Sequence, residues 1–231
     1  MKADQKYIVV GSKDWNLSLF AAQDFDQRQW LFIAAKEELT PEKVEAINPR
    51  YLFFLHWSWK VPEEIINHYE CVCFHMTDVP YGRGGSPLQN LIMRGHQFTK
   101  LTALRMTHEF DAGPVYLKQD VGLGGNAEEI YMRITRLSFA MIEQIIREQP
   151  QPQPQTGEAV VFKRRQPADS ELSQVNSLEQ MHDKIRMLDA EGYPPAFIEY
   201  EGFRFEFSRS ALYGERVVAD VIITPIEGAE S

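Results

Sequence analysis

A histidine ends the apolar segment Cys71–His75, and it is the first residue along the chain placed for acid–base chemistry. The segment is typical of a buried strand, and the carboxyl end of a strand in an open α/β sheet faces the ligand crevice. An imidazole there can move protons near neutral pH. The loop that follows contains Pro80, Arg83 and three glycines. Such a loop lets the backbone approach a ligand while a guanidinium holds an anion.

Two cysteines share one face of this strand with the histidine, because side chains alternate along a strand. A metal site at Cys71, Cys73 and His75 is one interpretation. We disfavour it because same-face strand positions are spaced more widely than a metal knuckle and no further ligand cluster is evident. We therefore expect no metal and interpret Cys71 as a small buried apolar residue. Cys73 lies nearer the strand end, and its role stays open.

A second candidate for acid–base chemistry, Asp111, follows 36 positions after His75 in the turn "HEFDAG". An aspartate in a turn between two strands is often only a local backbone cap. A catalytic role requires that Asp111 comes within reach of His75. Sequence spacing alone does not decide this.

Four continuous apolar runs precede or include these positions: Tyr7–Gly11, Trp30–Ala35, Tyr51–His56 and Cys71–His75. Runs without polar alternation suit strands that are covered on both faces. Helical segments separate them, and one opens with Thr40 as N-cap and Pro41 at the first helical position. This alternation predicts an α/β fold with a mostly parallel sheet.

The later segments predict an extension of this sheet and a boundary. Lys100–His108 and "PVYLKQDV" predict a hairpin-like pair of strands. A long helix follows, with Asn126 as N-cap and Glu129 at N3. The stretch "EQPQPQPQTGE" is too rich in proline for a helix or central strand and predicts an extended linker. We therefore divide the chain into an α/β domain, 1–149, a linker, 150–158, and a small mixed α+β domain, 159–231.

The overall composition limits the function classes. The chain has 231 residues, 44% of them hydrophobic, which is enough for a sizeable core. Its net charge of −9 argues against a dedicated nucleic-acid binder, although a local basic patch is compatible with it. No apolar run approaches the roughly 18 residues of a membrane span, and no signal peptide is evident. The two cysteines form no disulfide framework, which favours a cytoplasmic, reducing location.

The stretch "CFHMTDVPYGRGGSPLQNLI", followed by "FDAGPVY", resembles the folate-dependent formyltransferase family. The family pattern is roughly N-x-H-x-S-L-L-P, a loop with R-G, and L-D-[AT]-G. The resemblance covers residues 1–150 and extends weakly to "FKRRQPADSEL". The motif is most similar to nucleotide-sugar N-formyltransferases of pseudaminic (nonulosonic) acid biosynthesis. It implies a Rossmann-like formyltransferase fold and N10-formyltetrahydrofolate as co-substrate.

The expected acceptor is therefore the primary amine of a nucleotide-linked 4-amino-4,6-dideoxy sugar, a small molecule. One alternative is a methionyl-tRNA-type formyltransferase, which the acidic charge and the short acidic C-terminal unit count against. Another is a non-catalytic protein that binds folate or a nucleotide sugar. We expect no membrane partner, we disfavour nucleic acid as a partner, and a homodimer stays open.

The resemblance also implies catalytic roles. His75 matches the family's histidine, which when protonated stabilises an oxyanion, and Asp111 matches the aspartate that orients it and helps to move a proton. Cys73 stands where the family has an asparagine that holds the developing oxyanion, and a thiol is a poorer donor. Losing one such donor typically costs about 10²–10³ in rate. Three alternatives stay open: His75 and a backbone N–H hold the oxyanion, or another amide such as that of Gln89 or Asn90 contributes, or activity is impaired.

Binding residues are implied in the same way. For the formyl donor they are Trp57, Ser58, Trp59, Lys60, His108 and Glu109. For the acceptor they are Ser12, Lys13, Met76, Thr77, Tyr81, Arg83, Gly84, Gly85 and Gln89. Ser12 and Lys13 lie in the turn after the first strand, where backbone N–H groups and an ammonium can take a phosphate. A solvated turn is the alternative there, and burial in the core is the alternative for the tryptophans.

Overall fold

The structure is a computed structural model that describes residues 5–26 and 29–226. The chain divides into two compact units. The first unit comprises Met1–Gly84, Lys100–Val121 and Met132–Val161, and the second comprises Gly85–Thr99, Gly122–Tyr131 and Phe162–Ser231. The domain boundaries expected from the sequence, 1–149, 150–158 and 159–231, stay a prediction, and residues 227–231 lie outside the described part.

The first unit is built on a six-stranded sheet with the order β2-β1-β3-β4-β6-β7. The first seven strands in chain order are β1 Tyr7–Gly11, β2 Trp30–Ile33, β3 Tyr51–Leu55, β4 Cys71–His75, β5 Tyr81–Gly84, β6 Phe98–Arg105 and β7 Val115–Gly122. Strands β2, β1, β3 and β4 are parallel, and β6 runs antiparallel to β4. The predicted α/β fold with a mostly parallel sheet is confirmed.

Helices alternate with the parallel strands as predicted, and these are α1 Asp14–Ala21, α2 Pro41–Ile47 and α3 Glu63–His68. Two further helices come later in the chain, α4 Pro87–Met93 after β5 and α5 Ala127–Glu148 after β7. Strands β1 and β3 are buried along their whole length, which explains why their sequences are apolar without alternation. One buried cluster joins the sheet to α2 and α3, with Val44 and Ile65 packed against Leu52 and Cys71. The burial of Cys71 agrees with its interpretation as an apolar residue.

The helix-start signals in the sequence are confirmed. The Thr40 hydroxyl accepts a hydrogen bond from the Lys43 N–H at 3.2 Å, and Pro41 is the first residue of α2. Asn126 and Glu129 form a reciprocal capping box, in which each side chain accepts the other's backbone N–H at 2.9 Å. These bonds satisfy N–H groups that have no partner within the helix.

The second unit contains an antiparallel sheet with the order β11-β10-β9. Its strands are β9 Ala196–Tyr200, β10 Phe203–Tyr213 and β11 Arg216–Pro225, and the short strand β8 Val160–Phe162 precedes them. Helix α6, Leu178–Arg186, contacts β10. The predicted small mixed α+β part is confirmed. The segment "AFIEYEGFRFEFS" forms two strands, because Glu201 and Gly202 make a turn with positive φ at both residues.

One expected loop is a strand. The glycine-rich stretch after His75 contains β5, which pairs with β8 in a two-stranded sheet. The bond from the Val160 N–H to the Pro80 carbonyl, 3.0 Å, begins this pairing. In the described part of the chain, no helix is long and apolar enough to cross a membrane.

The N-cap of α2 gives a stability prediction. Replacing Thr40 by alanine removes the acceptor for the Lys43 N–H, so we expect the free energy of unfolding to fall by about 1 kcal/mol. The measurement is urea unfolding of both proteins under identical conditions. Glu45→Ala, at an exposed position of the same helix, is the control and should change stability by less than about 0.5 kcal/mol. Equal losses in the two variants would contradict the capping role.

Candidate active site

His75 lies at the carboxyl edge of the sheet, where β4 ends between β3 and β6. Its ring is buried beside Thr102, its cross-strand partner. The ring Nε2 lies 2.7 Å from the carbonyl oxygen of Gly82. Because a carbonyl can only accept, Nε2 carries a proton and donates this bond. The other nitrogen, Nδ1, is thereby directed to a different partner.

That partner is Asp111, whose Oδ1 lies 3.5 Å from His75 Nδ1. The distance is that of an ion pair and exceeds the 2.7–3.2 Å range of an N–H···O hydrogen bond. Catalytic contacts of this kind are often long before substrate is bound. The structure thus brings together the two residues whose proximity the sequence left open.

The aspartate is held by its own turn and by β5. Its backbone φ is +55°, in the left-handed region that few residues with a side chain adopt. Its Oδ2 accepts the N–H of Gly84 at 2.9 Å. Two residues later, a Cβ on Gly113 would lie 1.8 Å from the Arg105 carbonyl oxygen, so only glycine fits there. The D-A-G sequence therefore meets a steric demand as well as a chemical one.

The residues just after His75 support the loop. Met76 and Thr77 are buried. The Thr77 hydroxyl donates to the Gly82 carbonyl at 3.2 Å, and the Thr77 carbonyl accepts the Thr102 hydroxyl at 2.7 Å. In this structure these residues stabilise the backbone that faces His75. The acceptor-binding roles of Met76, Thr77 and Tyr81 stay predictions.

Arg83, expected to hold an anion, is mostly buried and engaged by the protein itself. Its Nη1 lies 3.4 Å from Glu109 Oε1. Its Nε and Nη2 donate to Gln155 Oε1 at 3.1 and 2.8 Å. Arg83 is therefore fixed between a carboxylate and an amide, and its role toward the acceptor stays a prediction.

A cavity of about 100 Å³ lies within the first unit beside these residues. It is lined by Trp59, Lys60, Val61, Glu63, Ile66, Cys73, Leu104, Arg105, Met106, Thr107, His108, Glu109, Phe110 and Asp111. Its volume is below the roughly 300–1,000 Å³ of most ligand pockets, so it would enclose only part of a ligand. Phe110, 74% exposed, and Trp59, 43% exposed, add aromatic surface at this position.

Four of the six expected donor-binding residues line this cavity: Trp59, Lys60, His108 and Glu109. Trp57 packs against the buried apolar cluster beneath the sheet, and its ring centroid lies 4.8 Å from that of Trp59. Ser58 is exposed and does not line the cavity. The donor-binding assignments stay predictions.

Cys73 lines the same cavity as Asp111. Burial raises the pKa of the Cys73 thiol, and the nearby Asp111 carboxylate raises it further. The thiol is therefore neutral at physiological pH. A neutral thiol is a weak hydrogen-bond donor, and the role of Cys73 at the position of the family's asparagine stays a prediction.

The turn after β1 lies beside β3, where the order of the parallel strands reverses and α/β proteins bind ligands. The Ser12 hydroxyl donates to the His56 carbonyl at 2.8 Å, which joins the ends of the two strands. The amide of the buried Asn16 lies 3.1 Å from His56 Nδ1. Burial, with the charge of Lys13, lowers the pKa of His56 to about 4. The acceptor roles of Ser12 and Lys13 stay predictions.

Two expected acceptor residues, Gly85 and Gln89, belong to the second unit. Gln89 is buried, and its amide donates to the Tyr131 hydroxyl at 3.2 Å and the Met187 carbonyl at 2.9 Å. The Asn90 amide donates to three backbone carbonyls, among them that of Gly85 at 3.2 Å. Both amides thus serve the second unit's own packing, and their roles toward a substrate stay predictions.

Sequence reasoning missed Gln155, Met106 and Phe110. Gln155 lies in the segment interpreted as a linker, where repeated Pro and Gln hide any single functional residue. Phe110 directly precedes Asp111, and this adjacency is the signal in the sequence. Its exposed ring is visible only in the structure. Within residues 5–26 and 29–226, no group of three or more His, Cys, Asp or Glu side chains is arranged to hold a metal ion.

Comparison with known proteins gives consistent matches. A profile of the "Methionyl-tRNA formyltransferase, C-terminal domain" matches residues 167–224. The solved structure "Methionyl-tRNA formyltransferase from Clostridium thermocellum" is 46% identical, covers 96% of this chain and 99% of its own, and superposes with a TM-score of 0.92. The methionyl-tRNA formyltransferase of Thermodesulfovibrio yellowstonii is 23% identical over 65% of this chain and 52% of its own. This chain thus spans about half the length of the curated relatives it matches.

A further structure shares the fold. HypX from Aquifex aeolicus, solved in complex with tetrahydrofolic acid, is 17% identical over 90% of this chain and 38% of its own, with a TM-score of 0.73. At this identity the likeness concerns the fold alone.

The expected acceptor is overturned by these matches. Sugar N-formyltransferases appear only as distant structural neighbours, at 14% and 15% identity. The interpretation as an enzyme of pseudaminic acid biosynthesis with an amino-sugar nucleotide acceptor was therefore wrong. The expectation that nucleic acid is an unlikely partner was wrong for the same reason, and the matches favour the methionyl-tRNA-type alternative. A net charge describes the whole chain, whereas phosphate contacts depend on a local surface.

The low pKa of His56 gives a pH prediction. The unfolded side chain has an ordinary pKa of 6.5 and binds a proton more readily than the folded one, with a pKa of about 4. Stability is therefore fully present above pH 6.5 and is lost as the pH falls toward 4, by roughly 1–3 kcal/mol for this partly exposed group.

We expect His56→Asn to remove this part of the pH dependence, since asparagine tolerates the positive φ of 49° at this position. Urea unfolding of both proteins at pH 7.5 and 5.0 measures it. Other histidines titrate in both proteins, so the difference between them isolates His56. An identical loss of stability in the two proteins would contradict the assignment.

Proposed function

Because the chain belongs to the formyltransferase family, we propose that it transfers a formyl group from N10-formyltetrahydrofolate to the amino group of methionyl-tRNA. The observation that carries the proposal is the pairing of His75 with Asp111 at 3.5 Å, with Asp111 facing a cavity at the carboxyl edge of the sheet. The 46% identical methionyl-tRNA formyltransferase, matched over nearly its whole length, supports this acceptor.

The cavity suits the formyl donor by its chemistry. Trp59, Met106 and Phe110 offer aromatic and apolar surface, and Glu109 and Asp111 offer hydrogen-bond acceptors. A flat, polar-edged heterocycle requires both kinds of contact. When bound, N10-formyltetrahydrofolate supplies the formyl group. Trp59, Lys60, His108 and Glu109 are the residues we propose to hold it.

Asp111 is placed to handle the proton that an attacking amine must lose. Its Oδ2 is held by the Gly84 N–H and its Oδ1 faces His75, so both oxygens have fixed directions. A carboxylate in this position can accept a proton from an ammonium and return it to a leaving nitrogen. The fixed turn keeps the carboxylate oriented without reorganisation during the reaction.

His75 stabilises charge. When protonated, it places a positive charge between the Gly82 carbonyl and the Asp111 carboxylate. That positive charge stabilises the negative charge that develops on a carbonyl oxygen under nucleophilic attack. Cys73 contributes little to this stabilisation, because its neutral thiol is a weak donor. The charge of His75 therefore carries more of the task than in a site with the family's asparagine.

The second unit offers basic residues for RNA. Lys163 and Arg164 are consecutive and exposed, directly after β8. Such a pair can contact phosphates even though the whole chain carries a net charge of −9. A cytosolic location, expected from the cysteine content, belongs to the same proposal.

The proposal predicts that His75→Ala and Asp111→Asn each lower kcat/KM for formyl transfer by at least about 100-fold, since each removes a group that acts on charge or proton in the transition state. The measurement follows labelled formyl transfer from N10-formyltetrahydrofolate into acid-precipitable methionyl-tRNA. Deacylated tRNA and free methionine serve as acceptor controls.

His68→Ala is the matched control, because His68 is an exposed histidine whose ring bonds to the Glu64 carbonyl of its own helix. It should keep activity within about twofold. Wild-type protein that transfers no formyl group to methionyl-tRNA would refute the proposed acceptor. Full activity in His75→Ala would refute the proposed role of the pair.

A further inference from the structure

Gln155 lies in a segment that is bound to the first unit through its backbone. This segment follows α5, and the sequence predicts only an extended linker there. In the structure Gln153 and Val115 exchange two backbone hydrogen bonds, with N···O distances of 2.7 and 2.8 Å. The segment is therefore attached to the start of β7, four residues beyond Asp111.

The Gln155 side chain uses its full hydrogen-bonding capacity in this position. Its Nε2 donates to the carbonyl oxygens of Asp111 and Gly113 at 2.7 and 2.8 Å. Its Oε1 accepts from Nε and Nη2 of Arg83 at 3.1 and 2.8 Å. A primary amide has two donors and two acceptor sites, so all four are occupied. The orientation of the amide is determined, since carbonyls only accept and a guanidinium only donates.

These four bonds bear on both segments that hold the Asp111 carboxylate. Two of them reach the carbonyl of Asp111 itself, whose φ is +55°, and that of Gly113, two residues later. The other two hold Arg83, whose neighbour Gly84 donates its N–H to Asp111 Oδ2. One side chain thus links the backbone of the aspartate to the strand that orients its carboxylate.

We propose that Gln155 is a positioning residue for formyl transfer, which sets the direction of the Asp111 carboxylate toward His75 without touching substrate. This inference rests on the proposed function for its kinetic consequence. Its structural part is that Gln155 keeps the hydrogen bond from the Gly84 N–H to Asp111 ordered. This part does not depend on which acceptor the protein uses.

The test compares Gln155→Met, Gln155→Glu and the control Gln153→Met. Methionine has a similar length but makes none of the four bonds. Glutamate keeps the acceptor for Arg83 but places a carboxylate against two carbonyl oxygens. Gln153 lies in the same segment, and its exposed side chain bonds to the nearby Gln151 carbonyl at 3.0 Å.

We expect Gln155→Met to lower kcat about 10- to 100-fold, because misplacing a catalytic group by about 1 Å costs up to about 100-fold. The KM for the formyl donor should stay within about threefold. Gln153→Met should retain kcat within about twofold. The folded fraction, measured by unfolding at the assay temperature, must exceed nine-tenths in each variant.

Gln155→Glu supplies a readout that a general loss of structure would not give. A protonated glutamic acid regains one donor, so its activity relative to wild type should rise as the pH falls from 8 toward 5. The ratio of Gln155→Met to wild type should stay level over the same range. A level ratio for Gln155→Glu, or wild-type kcat in Gln155→Met, would overturn the kinetic role.

Amide hydrogen exchange tests the structural part without any activity. The Gly84 N–H, which donates to Asp111, should lose protection by at least about tenfold in Gln155→Met and keep it in Gln153→Met. Unchanged protection of Gly84 in Gln155→Met would overturn the inference. If wild-type protein does not formylate methionyl-tRNA, the proposed function fails, and this exchange measurement still decides the role of Gln155.

Discussion

The hydrogen bond from the Gly84 N–H to Asp111 Oδ2, 2.9 Å long, is the contact on which the site depends. It joins Gly84 of β5 to the turn after β6, 27 residues later in the chain. Strands β4 and β6, which precede these two segments, are neighbours in the sheet. Without this bond, the Asp111 carboxylate could rotate about its side-chain torsions, because the backbone turn alone does not fix its direction. With the bond formed, its second oxygen faces His75. The geometry of the pair therefore follows from backbone placement in β5 as much as from the two side chains.

The larger elements could be predicted from the sequence because each has a strong local cause. Continuous apolar runs identified β1, β3 and β4, since β1 and β3 are buried along their whole length and β4 along most of it. Thr40 with Pro41, and Asn126 with Glu129, identified the starts of α2 and α5 because capping is decided within four residues. The strand that ends on His75 was placed correctly for the same reason. The position of His75 at the carboxyl edge of the sheet followed from the topology of parallel sheets.

The parts that escaped prediction depend on contacts between distant segments. Strand β5 is short and rich in glycine, and it exists because Val160 and its neighbours pair with it. Gln155 has no local signal, since its importance comes from Asp111, Gly113 and Arg83. The acceptor escaped prediction because the motifs around His75 and Asp111 carry the resemblance to the whole family and do not distinguish its members. Recognition of the amine-bearing molecule depends on other surfaces, and whole-chain charge was a poor guide to them.

The thiol of Cys73, partly buried in the cavity beside Asp111, has a consequence for the chemistry that this position must avoid. Oxidants and alkylating agents react with thiolates rather than with thiols. Burial and the Asp111 charge raise the pKa of the Cys73 thiol and so favour its neutral form. The negative charge of Asp111 thus keeps the neighbouring thiol in the form that reacts more slowly with oxidants.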